Sequence, residues 1–572
     1  MSILTDIKQN LAGEINKILA QDLVTTRDIV YPPNNKLGDL SLATFGIAKA
    51  LKKSPVQIAD SLEKKLTLMP GVHRIDTEGP YINFFLDNKY VVTETIAQIL
   101  KEKDSFGNNK KFKGQRIMVE FAHPNPFKAF HIGHLRNIIL GESLVRLLEF
   151  SGAKVIRTNY QGDVGMHIAK CLWAFKDIDV KDYPEDNDDK VKLLSKCYVK
   201  GAKAFEENEK IKEEIKGINE QIYAQKDKQI KELWETGKKW SLDKFQDIYN
   251  RVYTRFDREY MESEVMNDCL RYVEEAKNKG LLEDSQGAVI FPGEKYGLET
   301  RVFLNSQGLP TYDGKELGLA YREFTDFGKL DLCVHNVAVE QIGFFKTNFK
   351  VQELLDPDRF KGKQYHNAYE FVGLIKGKMS SRLGKVVLAE DVLNLSKNKI
   401  KEIIKQRNSQ ADKLDVVAET LAITAVKYAF LKPSAFKYLA FDLEASISFN
   451  GSSGPYINYT YSRIKSILKK AGKFRASKKT LENLTEEREI IIGIELAKFN
   501  EVVETAANEY DPSQLIKYLF DLSHLFNDYY HQVSILKVEN KLKKARLQLI
   551  GAVVQVLETG TNLLGIKLVE NM

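Results

Sequence analysis

The sequence predicts an α/β protein in three parts: a parallel-sheet domain carrying a helical insertion, an α+β domain before it and an all-α bundle after it. Three observations predict this. From residue 116 a strand, a helix and a second strand follow one another within about 45 residues, the spacing of a βαβ unit. Long patterns rich in lysine and glutamate interrupt the sheet signals from about 172 to 285, and beyond about 396 nearly everything reads as helix. At 572 residues the chain is too long for one ordinary core, so roughly two to four domains are expected.

In order along the chain, "MSILTDIKQNLAGEINKILAQDL" is an amphipathic helical pattern. In "SLATFGIAKALKKSPVQIADSL" the apolar residues Leu42, Phe45, Leu51, Val56, Ile58 and Leu62 fit helices broken at Ser54 and Pro55, because proline lacks a donor and restricts its neighbour. "GPYINFFLDN" reads as a strand, and the polar stretch 101–115 as a linker that closes a first domain, 1–112. The second domain spans 113–395. "RIMVEFAH" is a short buried strand, "PNPFKAF" a proline-punctuated loop, and 132–150 a helix whose Ile132, Leu135, Ile139, Leu147 and Leu148 fall mainly on one face. Ser151 and Gly152 stop that helix, and "AKVIRTNY" supplies the next strand. The charge of the insertion, 172–285, reads as a solvated helical face. Strand and helix signals resume with "ETRVFLN" and run through "LCVHNVAVE" to "FVGLIKGKMSSRLGKVVLAEDV". The third domain, 396–572, contains the aromatic-rich "GPYINYTYSRIKSIL" and closes on "ARLQLIGAVVQVLETGTNLLGI".

A hydrophobic fraction of 43% with 28% charged residues describes a soluble globular protein. No apolar run approaches the roughly 18 residues of a membrane span. The first residues lack the basic, apolar and small-residue succession of a signal peptide, so a cytoplasmic address without membrane contact is expected. Cys171, Cys197, Cys269 and Cys333 stand apart without paired spacing, which predicts reduced thiols. A net charge of +7 permits a nucleic-acid partner without requiring one.

The stretch "AFHIGHLRN", 129–137, sets His131 and His134 around Gly133 at a helix start. Three readings are open. Zinc would need further ligands; His123 is near, but Pro124 and Pro126 make a loop, and no cysteine or carboxylate completes a familiar spacing. A pair of core histidines is the second reading. The third is an anion seat, where unpaired backbone N–H groups and the helix dipole converge. His131 and His134 would add donors there, and Gly133, lacking Cβ, would let a flat ring approach the backbone. Far downstream, "KGKMSSRLGK" carries Lys376, Lys378, Arg382 and Lys385 between two strand-like stretches, with Gly377 and Gly384 as hinges. It reads either as a solvated basic turn or as positive charge that closes over phosphate.

"HIGH" at 131–134 joined to "KMSS" at 378–381 resembles the signature of class I aminoacyl-tRNA synthetases. "EFAHPNPFKAFHIGHLRN", "GPYINYTYSRI" and "TNLLGIKLVENM" narrow the resemblance to the arginyl-tRNA synthetases, from "GDLSLATFGIAKAL" to Met572. The resemblance implies a Rossmann-type catalytic domain, an additional N-terminal tRNA-binding domain and an anticodon-binding C-terminal bundle. It also implies activation of L-arginine by ATP to arginyl-adenylate, then transfer to the 3′ end of tRNA(Arg). ATP would bring Mg²⁺ with it, the protein would supply no metal ligands, the chain would be a monomer, and tRNA would be needed even for the first step.

Under this resemblance His131, Gly133, His134, Lys128, Lys378, Ser380 and Arg382 form the ATP site, stabilising charge on the phosphates. The wider class has a second lysine where this chain has Ser381, followed by Arg382, which leaves open whether Lys128, Lys378 or Arg382 carries most of the transition-state charge. Glu120 and Asn125 match positions that hold the α-amino and carboxylate groups, and Gln341 a third substrate contact. Phe344 stands where the family often has histidine and is given no catalytic role. A guanidinium has five fixed donors and no acceptor, so it calls for a planar acceptor pair. Tyr312 and Glu316, four apart on a helix that Thr311 could cap, match the positions that flank it and pair with it. The family usually has aspartate at 316, so either the pocket is reshaped or Asp313 shares the task. Asp163 and His167, just beyond the second strand, are further candidates. Asn83 in the first domain, and Tyr456, Tyr459 and Arg463 with Tyr461 in the third, are candidate tRNA contacts, since aromatic faces interleaved with charge suit base stacking. Core packing accounts for such stripes as well. A small-molecule nucleotidyltransferase would leave the helical tail unexplained, and a non-catalytic tRNA-binding relative would not call for His131, His134 and Lys378 together.

Overall fold

The computed structural model describes residues 2–375, 387–407 and 414–570. Among them, strands Arg116–Glu120, Lys154–Gln161, Arg258–Met261, Leu332–Ala338 and Gln364–Tyr369 form a wholly parallel sheet. Across the sheet the order is 364–369, 332–338, 116–120, 154–161, 258–261. The winding therefore reverses between Arg116–Glu120 and Leu332–Ala338, and a doubly wound sheet opens its binding crevice at the carboxyl ends of the strands on either side of such a reversal. The βαβ unit forms as expected: helix Ile132–Phe150 links the first strand to Lys154–Gln161. Its Leu135, Ile139, Leu147 and Leu148 are buried, and so are Arg136, Glu142 and Ser143, because other domains cover its remaining sides.

In the first domain, helix Ile3–Leu19 is followed by an antiparallel sheet in the order 29–30, 40–43, 81–86, 72–78. The break at Ser54 is real: helices Phe45–Leu51 and Pro55–Glu63 flank it, with Pro55 in the first turn, where its missing N–H breaks no helical bond. Leu42, read as helical, instead lies in strand Leu40–Ala43 opposite Ile82. Leu40 and Leu42 both reach the core, and sheet pairing decides the local conformation.

Helices Met166–Phe175, Asn187–Glu207, Glu209–Ala224 and Lys228–Arg251 form the insertion around a core that includes Leu172, Phe175, Leu194, Ile215, Trp234 and Trp240. Arg258–Met261, inside the stretch 172–285, returns to the parallel sheet as its edge strand. Strands Glu283–Ser285, Ala288–Phe291 and Arg301–Leu304 then make a separate antiparallel sheet.

The stretch 101–115 differs from the linker expected. Phe106 and Phe112 are buried, and Phe106 stacks on Phe499 with ring centroids 5.9 Å apart, so this polar segment is pinned to the C-terminal helices. Helix Asn88–Glu102 shares the same apolar core through Val92, Ile96 and Ile99. The region beyond 396 is helical apart from Leu439–Phe441, which pairs in parallel with Val372–Leu374. No helix among the described residues is long and apolar enough to cross a membrane.

Candidate active site

A cavity of about 900 Å³ opens where the sheet reverses. One wall is the N-terminus of helix Ile132–Phe150. His131 is extended there (φ −101°, ψ 172°); its Nδ1 accepts the Gly133 N–H (3.1 Å), while its own N–H donates to His134 Nδ1 (3.2 Å). The two rings stack with centroids 3.8 Å apart. A Cβ at residue 133 would come within 2.9 Å of the His131 ring, so the glycine makes room first for the capping imidazole. Because both Nδ1 atoms accept, the proton of each neutral ring sits on Nε2. Burial first, then the charge of Lys128, lowers the pKa of His131; burial, then His131, His123 and Lys128, holds His134 well below its usual value. The pair therefore offers neutral Nε2–H donors, and the positive potential comes from the helix end and Lys128. Lys128 is itself lowered by burial, against the pull of Glu262, and lies beside the cavity wall without lining it.

The opposite wall is acidic. Glu120 ends the first strand, buried; its Oε1 accepts from His335 Nδ1 (3.1 Å), and the Glu323 carboxyl, which burial first and then the charge of Glu120 push well above the usual range, hydrogen-bonds it as well. Burial pushes this carboxyl up, but the bond and charge of His335 outweigh it, with His123 and Glu323 adding to them, and its pKa is lowered. Glu316, only 4% exposed, has a buried Oε1 without a hydrogen-bond partner among the described residues. Burial, then the charge of Glu120, pushes the Glu316 carboxyl up to about 8, against His335. Asp313 accepts from Asn348 Nδ2 (2.9 Å) and is pushed up to about 6 by burial, against Arg301. Thr311 caps the helix that carries these acids, Tyr312–Asp326, accepting the Gly314 N–H (3.5 Å). Tyr312, at its first position, is 72% exposed and forms the rim while Glu316 lies at the floor. Buried acidic groups lining a cavity suit a cationic ligand, since burying a charge alone is costly.

Between the two walls, Asn125 Oδ1 accepts the Gly162 N–H (2.8 Å), which leaves its Nδ2 for a ligand. A Cβ at 162 would meet that oxygen at 2.7 Å. Gln341, at the end of the short turn Val339–Gln341, and Phe344 line the wall as well. His123 lines it too, with Nδ1 against the Tyr160 carbonyl (3.4 Å). Among the described residues no group of three His, Cys, Asp or Glu side chains is placed to hold a metal ion.

Sequence reasoning passed over the groups that hold this site in shape. Asn137 Oδ1 accepts the Ala122 N–H (2.9 Å), and its Nδ2 donates to the Asn336 carbonyl (3.0 Å). Asn336 Nδ2 donates back to Asn137 Oδ1 (3.1 Å), and Asn367 Nδ2 donates to Asn336 Oδ1 (3.0 Å). The helix is thereby tied to the strand ends around the crevice. The signal was legible in "LCVHNVAV": a strand covered on both faces should read as unbroken apolar letters, and His335 and Asn336 interrupt it. The loop before the helix holds Ala122, His123 and Phe127 at φ of 87°, 52° and 65°. Non-glycine residues in that region are strained, and such strain gathers at functional sites. A buried ion pair, Lys315 to Glu262 (2.6 Å), brings Glu262 to the cavity wall.

Other candidates sit elsewhere. Asp163 is buried but outside the cavity, accepting from Ser263 N–H (2.9 Å) and Oγ (2.7 Å) and pairing with Lys238 (3.2 Å); it joins the second strand to the insertion. His167 does not line the cavity either, and burial takes its pKa down to about 3. Asn83 is buried in the first domain, its Oδ1 accepting from Ser41 Oγ (2.8 Å), at the wall of a second cavity of about 490 Å³. Tyr456, Tyr459 and Arg463 are half-buried on one face of helix Gly454–Ala471, with the Arg463 guanidinium 4.4 Å from the Tyr459 ring centre and 4.6 Å from that of Tyr530. Tyr461 faces the core and donates to Glu558 (2.8 Å). Lys376, Lys378, Ser380, Arg382 and Lys385 lie outside the described residues.

Comparison with known proteins agrees with this geometry. Residues 95–443 match the family model of the catalytic domain of class I (R) tRNA synthetases. Residues 457–572 match the DALR anticodon binding domain, and residues 5–86 the arginyl tRNA synthetase N terminal domain. The chain is 32% identical to the arginine–tRNA ligase of Clostridium acetobutylicum over 573 residues, covering 99% of this chain and 100% of the relative. It is likewise 32% identical to that of Clostridium perfringens over 575 residues, with the same coverage. The arginyl-tRNA synthetases of Thermus thermophilus (TM-score 0.85, 24% identity) and Plasmodium falciparum (0.81, 22%) share the fold over 100% of each chain. With a catalytic-domain match across more than half its length and relatives aligned from end to end, the chain belongs to the arginyl-tRNA synthetase family.

Proposed function

We propose that the chain activates L-arginine with ATP, giving arginyl-adenylate and pyrophosphate, and then transfers the arginyl group to the 3′ end of tRNA(Arg). One observation carries the reading: a single cavity joins a helix N-terminus with Nε2–H donors to the buried carboxyls of Glu120 and Glu316, the latter with an oxygen that has no partner among the described residues. Phosphate suits the first end and the two cationic groups of arginine suit the second. On this reading Glu120 takes the α-ammonium group, Asn125 Nδ2 and Gln341 steady the substrate, and Glu316 receives the guanidinium beneath Tyr312. Asp313 is already engaged by Asn348, which favours Glu316 as the pairing acid. The arginine carboxylate oxygen attacks the α-phosphorus as its bond to pyrophosphate breaks. His131, His134 and Lys128 stabilise the growing phosphate charge. Lys378, Ser380 and Arg382 would complete the ATP site. Mg²⁺ would enter as the counter-ion of ATP, held by the substrate's phosphates.

Asn83 and the Tyr456, Tyr459 and Arg463 face would touch tRNA, and the protein would work as a cytoplasmic monomer. The test is ATP–pyrophosphate exchange. We expect it to require both arginine and tRNA, and His134→Ala to abolish it while sparing tRNA binding. Robust exchange without arginine, or with another amino acid in its place, would defeat the reading.

A further inference from the structure

We propose, resting on the reading of Glu120 as acceptor of the α-ammonium group, that His335 is a positioning residue for the amino acid. As a doubly protonated imidazolium it keeps Glu120 a carboxylate and fixes one of its oxygens, and so orients the carboxylate that lines the cavity. His335 is fully buried in the middle of strand Leu332–Ala338 and does not line the cavity, so any effect on substrate passes through Glu120. Both of its ring nitrogens meet acceptors: Nδ1 meets Glu120 Oε1 (3.1 Å) and Nε2 meets Gln364 Oε1 (2.8 Å). On its other side the Gln364 amide donates through Nε2 to Gln352 Oε1 (2.9 Å). A neutral imidazole carries one N–H, and satisfying two acceptors takes two.

The rings of Phe345 and Phe349, with centroids 5.0 and 5.3 Å from the histidine, exclude water, and in such surroundings an ion pair with good geometry is strong. Titratable groups face this ring from several elements, Glu120 and His123 from the first strand and its loop, Glu316 and Glu323 from helix Tyr312–Asp326, Cys333 from its own strand, and His366 from Gln364–Tyr369, while helix Ile342–Leu355 presents Phe345 and Phe349. Of the three carboxyls, Glu120 alone is hydrogen-bonded to His335 among the described residues, which makes it the one the imidazolium holds ionised. Direction agrees on both sides of the pair: Glu120 is lowered, and His335 is raised despite its burial, with Cys333 and Glu120 responsible.

The test is arginine-dependent exchange, in the presence of tRNA, by His335→Gln, Glu120→Gln and the double variant at pH values from 6 to 9. Glutamine keeps a donor for Glu120 but removes the charge. His335→Gln should raise the arginine KM about tenfold or more, leave the ATP KM within about twofold, and move the arginine pH profile upward, because Glu120 and, through the lost charge, Glu316 then ionise at higher pH. In a Glu120→Gln background it should add little. Additive losses, or an unshifted arginine profile, overturn the proposal. A normal arginine KM in Glu120→Gln would overturn the Glu120 reading itself, and the proposal with it. Should His335→Gln fail to fold, Gln364→Leu leaves the ring and Glu120 in place and removes the second acceptor. A smaller shift in the same direction supports the proposal, and an unmoved arginine KM and profile overturn it.

Discussion

Glu316 stands where an aspartate is usual in the family, and its surroundings give the difference a measurable consequence. Its carboxyl, buried and facing the charge of Glu120, is pushed up to about 8, so it holds a proton at neutral pH when the cavity is empty. A guanidinium against it favours the carboxylate, so arginine binding expels that proton. Affinity for arginine should then rise with pH, by up to roughly tenfold per unit, and level off above about 8. Glu120, already lowered by His335, adds nothing in that window. Calorimetry in buffers of different ionisation enthalpy should record proton release on arginine binding at neutral pH, absent in Glu316→Gln; an affinity flat between pH 6 and 8 would contradict it. The histidines behave differently. Burial and Lys128 keep His131 and His134 neutral, so ATP binding should not depend on protonating them. The pair was visible in the sequence, but the bonds that turn Nδ1 inward were not, since they depend on the cap geometry.

At the scale of elements, the helix Ile132–Phe150 is a positioning rod as much as an anion seat. Its span could be read from apolar spacing and from the stop at Ser151 and Gly152. Its asparagine could not, because Asn137 has meaning only beside Ala122 and Asn336, which other strands bring to it. Replacing Asn137 with alanine strands a buried N–H and a buried carbonyl, and should cost about 1–3 kcal/mol in chemical denaturation. It should also raise the ATP KM, because the loop with its left-handed residues loses its tie to the helix. An unchanged denaturation midpoint would show that the ladder carries no such weight. The insertion follows the same rule. Its helices were plain from charge and periodicity, whereas Arg258–Met261 hid among them, four residues whose strand character comes from pairing with Lys154–Gln161.

Across the whole molecule, the three parts share buried surface. Helix Glu487–Ala497 packs Gly493 against Val92 of helix Asn88–Glu102, and Ile494 and Ala497 reach the core of the first domain. Lys8 pairs with Glu501 across the same junction (2.9 Å). The helix of the anion seat is held from the far end of the chain too: Arg136 donates to the carbonyls of Ala435 (3.3 Å) and Lys437 (3.0 Å), and Arg146 to that of Asn562 (3.0 Å). A Cβ at 493 would lie 2.5 Å from Val92, so Gly493→Val should cost about 1–3 kcal/mol by overpacking. It should also speed hydrogen exchange throughout residues 5–86 relative to the parallel sheet. Exchange unchanged in the first domain would mean that this junction does not hold it.

By itself the sequence determined the α/β class, the extent of the first βαβ unit, the helical character of the insertion and tail, and the family, because these follow from periodicity, punctuation and short motifs, all local in the chain. Only the tertiary structure decided which carboxyls are buried together at the cavity, which nitrogens of the paired histidines carry the proton, and that Phe106 and Phe112 anchor a polar stretch. Those properties arise from groups hundreds of residues apart meeting in a space without water, where burial and neighbouring charge outweigh what any residue prefers alone.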